Sequence, residues 1–147
     1  MPTDAAVPPI LDRALIHTGL ASEPPEAAIR RCGQWLLAGG HVEPAYIDSM
    51  LARDAKFSVA IGNAIAIPHG EVEGKAAIRR TGLTVLTYPD GIDWHGVDVR
   101  LVIGIAAQGE EHLEVLARIA DAFDQEDKVL QAVASGDADL FYDLLSV

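Results

Sequence analysis

Residues 99–107, VRLVIGIAA, read as a strand that cannot lie at a surface. The run is almost continuously apolar and stops at Gln108-Gly109. A half-exposed strand would alternate apolar and polar residues, whereas one covered on both faces is apolar throughout. The chain must therefore place layers on both sides of this strand. Two other stretches can join it in a sheet. TGLTVLTY (81–88) reads as a strand, and Pro89-Asp90-Gly91 after it as a turn. GNAIAIPHG (62–70) alternates, with Ile65 and Ile67 to one side and Ala64 and Ala66 to the other, and then breaks at Pro68.

The covering layers are legible as helices. Ser22 is placed to cap a first helix, with Pro24 and Pro25 near its first turn. Ala28, Ile29, Cys32, Trp35 and Leu36 recur at helical period, and Gly39-Gly40 stop it. A second helix follows Pro44, with Tyr46, Ile47, Met50 and Leu51 on one face and Arg53 near its end. EEHLEVLARIADAF (110–123) is the clearest helix, with an expected core stripe of Leu113, Leu116, Ala117, Ala120 and Phe123. Two shorter helices flank Gly136, and ILDRALIHTGLAS (10–22) holds a short turn and a strand. This pattern specifies an α/β fold: a single-domain sandwich with a central mixed sheet flanked by helices. Residues 1–9, with three prolines, read as a flexible tail, and 10–147 as the domain.

Composition narrows the function. The 147 residues hold 22 Asp and Glu against 11 Lys and Arg, a net charge of −11. That balance argues against nucleic-acid binding, which rests on cationic neutralisation of phosphates, and suits a basic partner met by electrostatic steering. No apolar run approaches the roughly 18–20 residues a membrane helix needs. A single cysteine, Cys32, excludes an internal disulfide, and a reducing cytoplasm fits that usage. Cys32 sits in register with Ala28 and Leu36, so it is expected to be a small buried hydrophobe rather than a reactive thiolate.

The chemistry centres on His69. Pro68 locks its own φ and withholds a backbone donor, and Gly70 lets the chain turn or approach a partner closely. A histidine held in that way suits a nucleophile, a proton shuttle or a metal ligand. Arg53 at a helix end and His112 in the first turn of the helix after the apolar strand are candidates for the same sheet edge. Helix N-termini there present backbone N–H groups to anionic ligands. Two imidazoles, an arginine and a helix N-terminus can together hold a phosphoryl group without metal or other cofactor.

Three stretches, GNAIAIPHG (62–70), GEEHLEVLARIA (109–120) and VEPAYIDSMLARD (42–54), carry a family resemblance. In order and separation they resemble the enzyme IIA component of the bacterial sugar phosphotransferase system, mannitol/fructose class. VEPAYIDSM and GEEHL look more like the mannitol branch. The resemblance implies a cytoplasmic phosphotransferase component. His69 would take a phosphoryl group on Nε2 from the phosphocarrier HPr and pass it to a cysteine of a IIB domain. His112 would hold the group by a hydrogen bond, Arg53 would offset its charge, and Asn63 and Gly70 would support the site. The partner surface is expected to be apolar at its centre with an acidic rim. DAKFSVAIGN (54–63) departs from the family, where many members carry Glu after the arginine and a Ser-Thr pair further on; Asp54 and Ser58-Val59 stand there instead. A regulatory, nitrogen-type IIA or a fructose-specific IIA would use the same chemistry. A metal-binding module built on His69 and His112 is the reading from another class, disfavoured by Arg53 and by the lack of metal-ligand spacing. His17, His41 and His95 are read as surface or turn residues.

Overall fold

The computed structural model describes residues 10–146, so the expected tail over 1–9 lies outside the described residues. The elements run β1 (Leu11–His17), α1 (Pro25–Ala38), α2 (Ala45–Lys56), β2 (Ala60–Gly62), β3 (Ile65–Ala66), a 3-10 helix (Val72–Ala77), β4 (Gly82–Trp94), β5 (Val97–Ala106), α3 (Glu111–Ala122), α4 (Glu126–Ser135) and α5 (Ala138–Leu145). The sheet order is β1-β4-β5-β3-β2. β1 is parallel to β4 and β3 to β5, while β4–β5 and β2–β3 are antiparallel, so the sheet is mixed.

The apolar run forms β5, the central strand, and both of its faces are buried as the pattern requires. Leu101, Ile103 and Ile105 pack with Val115, Ile119 and Phe123 of the α3 segment, Val129 and Val133 of α4, and Phe141 and Leu145 of α5. Val102 and Ala106 pack on the other face with Ala28, Ile29, Cys32 and Leu36 of α1 and with Tyr46 and Met50 of α2. The result is three layers. Gly104 sets the closeness of one of them, because a Cβ there would lie 2.8 Å from Cys32 Cβ and 2.8 Å from Thr84 Cγ2. Cys32 is fully buried, and burial pushes its thiol well up, so it is a packing residue.

Four expectations are corrected. Pro24, not Ser22, is the cap residue of α1, with Pro25 at the first helical position, and no side chain caps the helix. Pro89-Asp90-Gly91 does not end its strand: β4 continues to Trp94 through a register shift between Thr87 and Ile92. A bulge tolerates a proline that a regular ladder would not. The chain reverses instead at His95-Gly96, where both residues have positive φ (53° and 95°), as a two-residue hairpin demands. The third correction is the face of α3. Leu113 is 68% exposed, and Ala117 and Ala120 are exposed too, while Val115 and Ile119 enter the core. Leu116 and Phe123 of the expected stripe do pack in the core, so the buried face is turned toward Val115 and Ile119 rather than replaced. Fourth, His41 is only 2% exposed, where a surface position was expected.

Candidate functional site

His69 is held by backbone on both sides. Ile67 N–H donates to Val59 O (2.9 Å), and Ile105 N–H of β5 donates to Pro68 O (2.8 Å). The segment therefore stays bonded to the sheet beyond the short ladder of β3. Pro68 supplies an acceptor and leaves no donor unpaired. His69 Nδ1 lies 2.7 Å from Ile67 O. A carbonyl only accepts, so Nδ1 carries the proton and Nε2 keeps its lone pair. Burial lowers the His69 pKa, the bond to Ile67 O opposes that shift, and the charge of Arg53 and the ring of His112 reinforce it. The ring is thus neutral near pH 7, the state a nucleophile requires.

The ring lines a cleft of about 390 Å³ with Arg53, Lys56, Phe57, Lys75, His112 and the 70–73 backbone turn. The His69 and His112 ring centroids are 5.8 Å apart, tilted by 53°. His112 reaches this place from the first turn of α3, which is tied to the sheet below it. Thr81 Oγ1 donates to Glu111 Oε1 (2.6 Å) and accepts from Gln108 N–H (3.2 Å). Burial and the charge of Lys75 lower the His112 pKa. Arg53 sits in the last turn of α2 and donates from Nη1 to Phe57 O (2.6 Å). His69, His112 and Arg53 therefore share one cleft.

Gly70 lines the same cleft, and its role is steric. A Cβ there would come within 2.6 Å of Tyr46 Cε1 and 2.8 Å of Ser49 Oγ. Those two α2 side chains hold the turn: Gly70 N–H donates to Tyr46 Oη (2.8 Å), Tyr46 Oη donates to Ile105 O (2.9 Å), and Glu71 N–H donates to Ser49 Oγ (2.7 Å). The amides after His69 are consequently spent inside the protein. Those opening α3 make their own short-range bonds, from His112 N–H to Gly109 O (3.3 Å) and from Leu113 N–H to Glu110 O (3.1 Å).

Asn63 is placed elsewhere. It occupies the β2–β3 hairpin turn with φ 52°, donates to Phe123 O at 3.4 Å, and does not line the His69 cleft. Asparagine tolerates that left-handed conformation, so its contribution is to the hairpin that carries β3. The rim also differs from the expected acidic one. Glu71 and Glu73 line the cleft together with Arg53, Lys56 and Lys75, and Lys56 pairs with Glu71. Exposed apolar side chains also line the cleft: Phe57 is 73% and Val72 77% exposed.

Sequence reasoning missed Tyr46 and Ser49 as supports of the turn, and Lys56, Phe57 and Lys75 as lining residues. A signal for the first two was present, since Tyr46, Ser49 and Arg53 are spaced i, i+3, i+7 on one helix face. Among the described residues no group of three or more His, Cys, Asp or Glu is arranged to hold a metal ion.

Comparison with known proteins supplies the family. The model of the family described as "Phosphoenolpyruvate-dependent sugar phosphotransferase system, EIIA 2" matches residues 9–147. The mannitol-specific phosphotransferase enzyme IIA component of Halalkalibacterium halodurans is 42% identical over 120 residues, covering 82% of this chain and 83% of that protein. The crystal structure of mannitol IIA from Escherichia coli superposes with a TM-score of 0.82 at 36% identity, covering 91% of this chain and 97% of that one. A complex of mannitol IIA with phosphorylated mannitol IIB from Escherichia coli matches with a TM-score of 0.80 at 37% identity, covering 89% of this chain and 93% of the matched one. Together with the cleft around His69, these matches settle the chain's lineage: it belongs to the enzyme IIA (EIIA 2) family of the phosphoenolpyruvate-dependent sugar phosphotransferase system.

Proposed function

We propose that this chain is a phosphoryl relay of mannitol uptake, taking the group from phospho-HPr onto His69 Nε2 and delivering it to the cysteine of a IIB domain. The observation that carries the reading is the His69 Nδ1–H···O=C bond to Ile67, which leaves Nε2 bare in a cleft lined by Arg53 and His112. In the first step the Nε2 lone pair attacks phosphorus and the donor's P–N bond breaks. The proton stays on Nδ1, hydrogen-bonded to the Ile67 carbonyl, so the phosphorylated ring is held as a cation and remains a good leaving group. In the second step a thiolate attacks phosphorus and the N–P electrons return to Nε2. Such transfer depends on positioning and charge stabilisation more than on covalent help from the protein. Arg53 supplies a fixed charge, and His112 a hydrogen-bond donor.

The mannitol assignment draws on the relatives: the proteins matched at 36–42% identity are mannitol IIA components. The IIB partner draws on the Escherichia coli complex of mannitol IIA with phosphorylated mannitol IIB. Phe57 and Val72 offer apolar docking area beside the reacting ring. No helix among the described residues is long and apolar enough to cross a membrane, and the relay would work in the cytoplasm, where its donor resides.

The test is a reconstituted relay. With phosphoenolpyruvate, enzyme I and HPr, the protein should gain one acid-labile phosphoryl group on His69 and lose it to a mannitol IIB domain. Labelling without discharge to mannitol IIB would favour a regulatory or fructose-specific IIA, and a folded protein that takes no label would remove His69 from the chemistry.

A further inference from the structure

Directly after Arg53 comes a carboxylate that the proposed chemistry leaves unused. Asp54 is 7% exposed and lies in the last turn of α2, with both oxygens engaged by donors from separate parts of the chain. Oδ1 accepts from Val59 N–H (3.0 Å) just ahead of β2 and from Trp94 Nε1–H (3.0 Å) at the end of β4. Oδ2 lies 2.7 Å from His95 Nε2, on the β4–β5 hairpin turn. Burial works against the charge, yet the bonds from His95, Trp94 and Val59 together hold the carboxyl below its ordinary range. It is therefore ionised at any pH at which the relay works.

What this carboxylate closes is the loop that builds one wall of the cleft. The Asp54–Val59 bond ties the residue after Arg53 to the first residue beyond Ser58. Between them lie Lys56 and Phe57, and Arg53, Lys56 and Phe57 all line the cleft beside His69. Arg53 itself is anchored inside this loop, because its guanidinium donates to Phe57 O. The position of that carbonyl depends on the loop, and the loop depends on Asp54. Trp94, fully buried, fixes the carboxylate against the sheet. The hairpin tip, far from His69 in sequence, thereby bears on the aim of Arg53.

We propose that Asp54, clamped by Trp94 and His95, is the positioning residue that holds Arg53 toward the phosphoryl group on His69. The proposal rests on the reading of His69 as the phosphoryl acceptor and deepens it. It accounts for the carboxylate that follows the arginine and for His95, which the family resemblance leaves without a place.

A double-mutant cycle separates positioning from general support of the fold. Asp54→Asn keeps the size and one acceptor and removes the charge. The initial rate of His69 phosphorylation is measured for the wild type, Asp54→Asn, Arg53→Ala and the double variant, with thermal unfolding followed in parallel. Two donors are used: phospho-HPr, and phosphoramidate, a small P–N donor whose leaving group is ammonia. The small donor removes any effect of the variants on partner docking. Asp54→Asn is expected to slow labelling about tenfold with either donor while unfolding stays cooperative. In the Arg53→Ala background it should cost less than about twofold, since a positioning residue has nothing left to position. An equal loss in both backgrounds, or no loss in either, overturns the proposal.

His95→Asn provides a second variant should Asp54→Asn fail to fold. It removes the Oδ2 partner and leaves an Asn-Gly pair suited to the positive-φ turn. It should slow labelling about threefold when Arg53 is present and have no effect when Arg53 is absent. Unchanged labelling by His95→Asn with Arg53 present counts against the clamp. A wild-type protein that takes no label from either donor would defeat the relay reading itself, an outcome distinct from additivity in the cycle.

Discussion

At the scale of single residues, the fold fixes the tautomer of His69. His69 has one ring nitrogen committed to Ile67 O and the other turned to the cleft. Its folded-state pKa is lowered from 6.5, chiefly by burial and then by Arg53 and His112 against the bond to Ile67 O. Neutral imidazole therefore persists to a lower pH than in an exposed histidine. Once corrected for the donor's own protonation, the labelling rate with phosphoramidate should reach half its plateau only below pH 6.5, where His69 protonates. A rate that already halves near 6.5 or above would show that the ring is not desolvated as described. Arg53→Lys should also slow labelling, by about tenfold, or about 1.4 kcal/mol of transition-state stabilisation. A lysine has neither the planar fork nor the geometry to donate to Phe57 O while facing a phosphoryl oxygen. Normal rates in that variant would take Arg53 out of the reaction.

At the scale of elements, one helix face serves the turn that follows His69. Tyr46 and Ser49 of α2 accept from the Gly70 and Glu71 N–H groups, and the Tyr46 hydroxyl donates a hydrogen bond to β5 at Ile105 O. Tyr46→Phe keeps the packing and leaves a partly buried N–H without its acceptor, at about 1–3 kcal/mol. The variant should unfold at lower temperature and transfer more slowly. An unchanged melting temperature would mean that water replaces the hydroxyl at no cost. Gly70→Ala is the steric counterpart, with its new Cβ driven to 2.6 Å from the Tyr46 ring. The turn must shift to admit it, so transfer should fall more than stability does. Equal kinetics with and without this methyl would show that the turn is softer than its hydrogen bonds imply.

At the scale of the whole molecule, stability in acid should follow one buried histidine and three half-buried ones. His41, 2% exposed, has its pKa lowered first by burial and then by the charge of Arg80. His17 is lowered by burial, and His69 and His112 are lowered too. Each folded-state pKa lies below the unfolded 6.5, so the unfolded chain binds more protons as the pH drops through that value. Stability should be level above about pH 6.5 and decline below it, well before carboxylates such as Asp54 titrate. Scanning calorimetry between pH 8 and 5 reads this directly. A melting temperature constant down to pH 5 would contradict the buried, neutral state of His41. Replacing His41 by an uncharged residue that fills its site should flatten the decline.

The α/β class, the central strand, the helical layers and the His69 motif follow from local sequence. A long apolar run can only be a covered strand, and a proline followed by His-Gly imposes its own backbone geometry. Periodicity could not choose whether Leu113-Ala117-Ala120 or Val115-Ile119 would join Leu116 and Phe123 in the core, because both sets are apolar at helical spacing. The choice was made by the sheet surface that receives them. Nor could local signals show that Pro89-Asp90-Gly91 lies within a strand. The ladder to β5 resumes at Ile92 and absorbs the bend. Asn63 was legible as part of a motif, yet the hairpin carries it away from His69. Tyr46 acts across 24 residues and the Asp54–His95 pair across 41, and such distances close only when helices, hairpin and sheet pack together. Sequence thus singled out His69 as the candidate for the chemistry, and tertiary packing decided which charges and donors surround it, because those come from segments that only the folded core brings into contact.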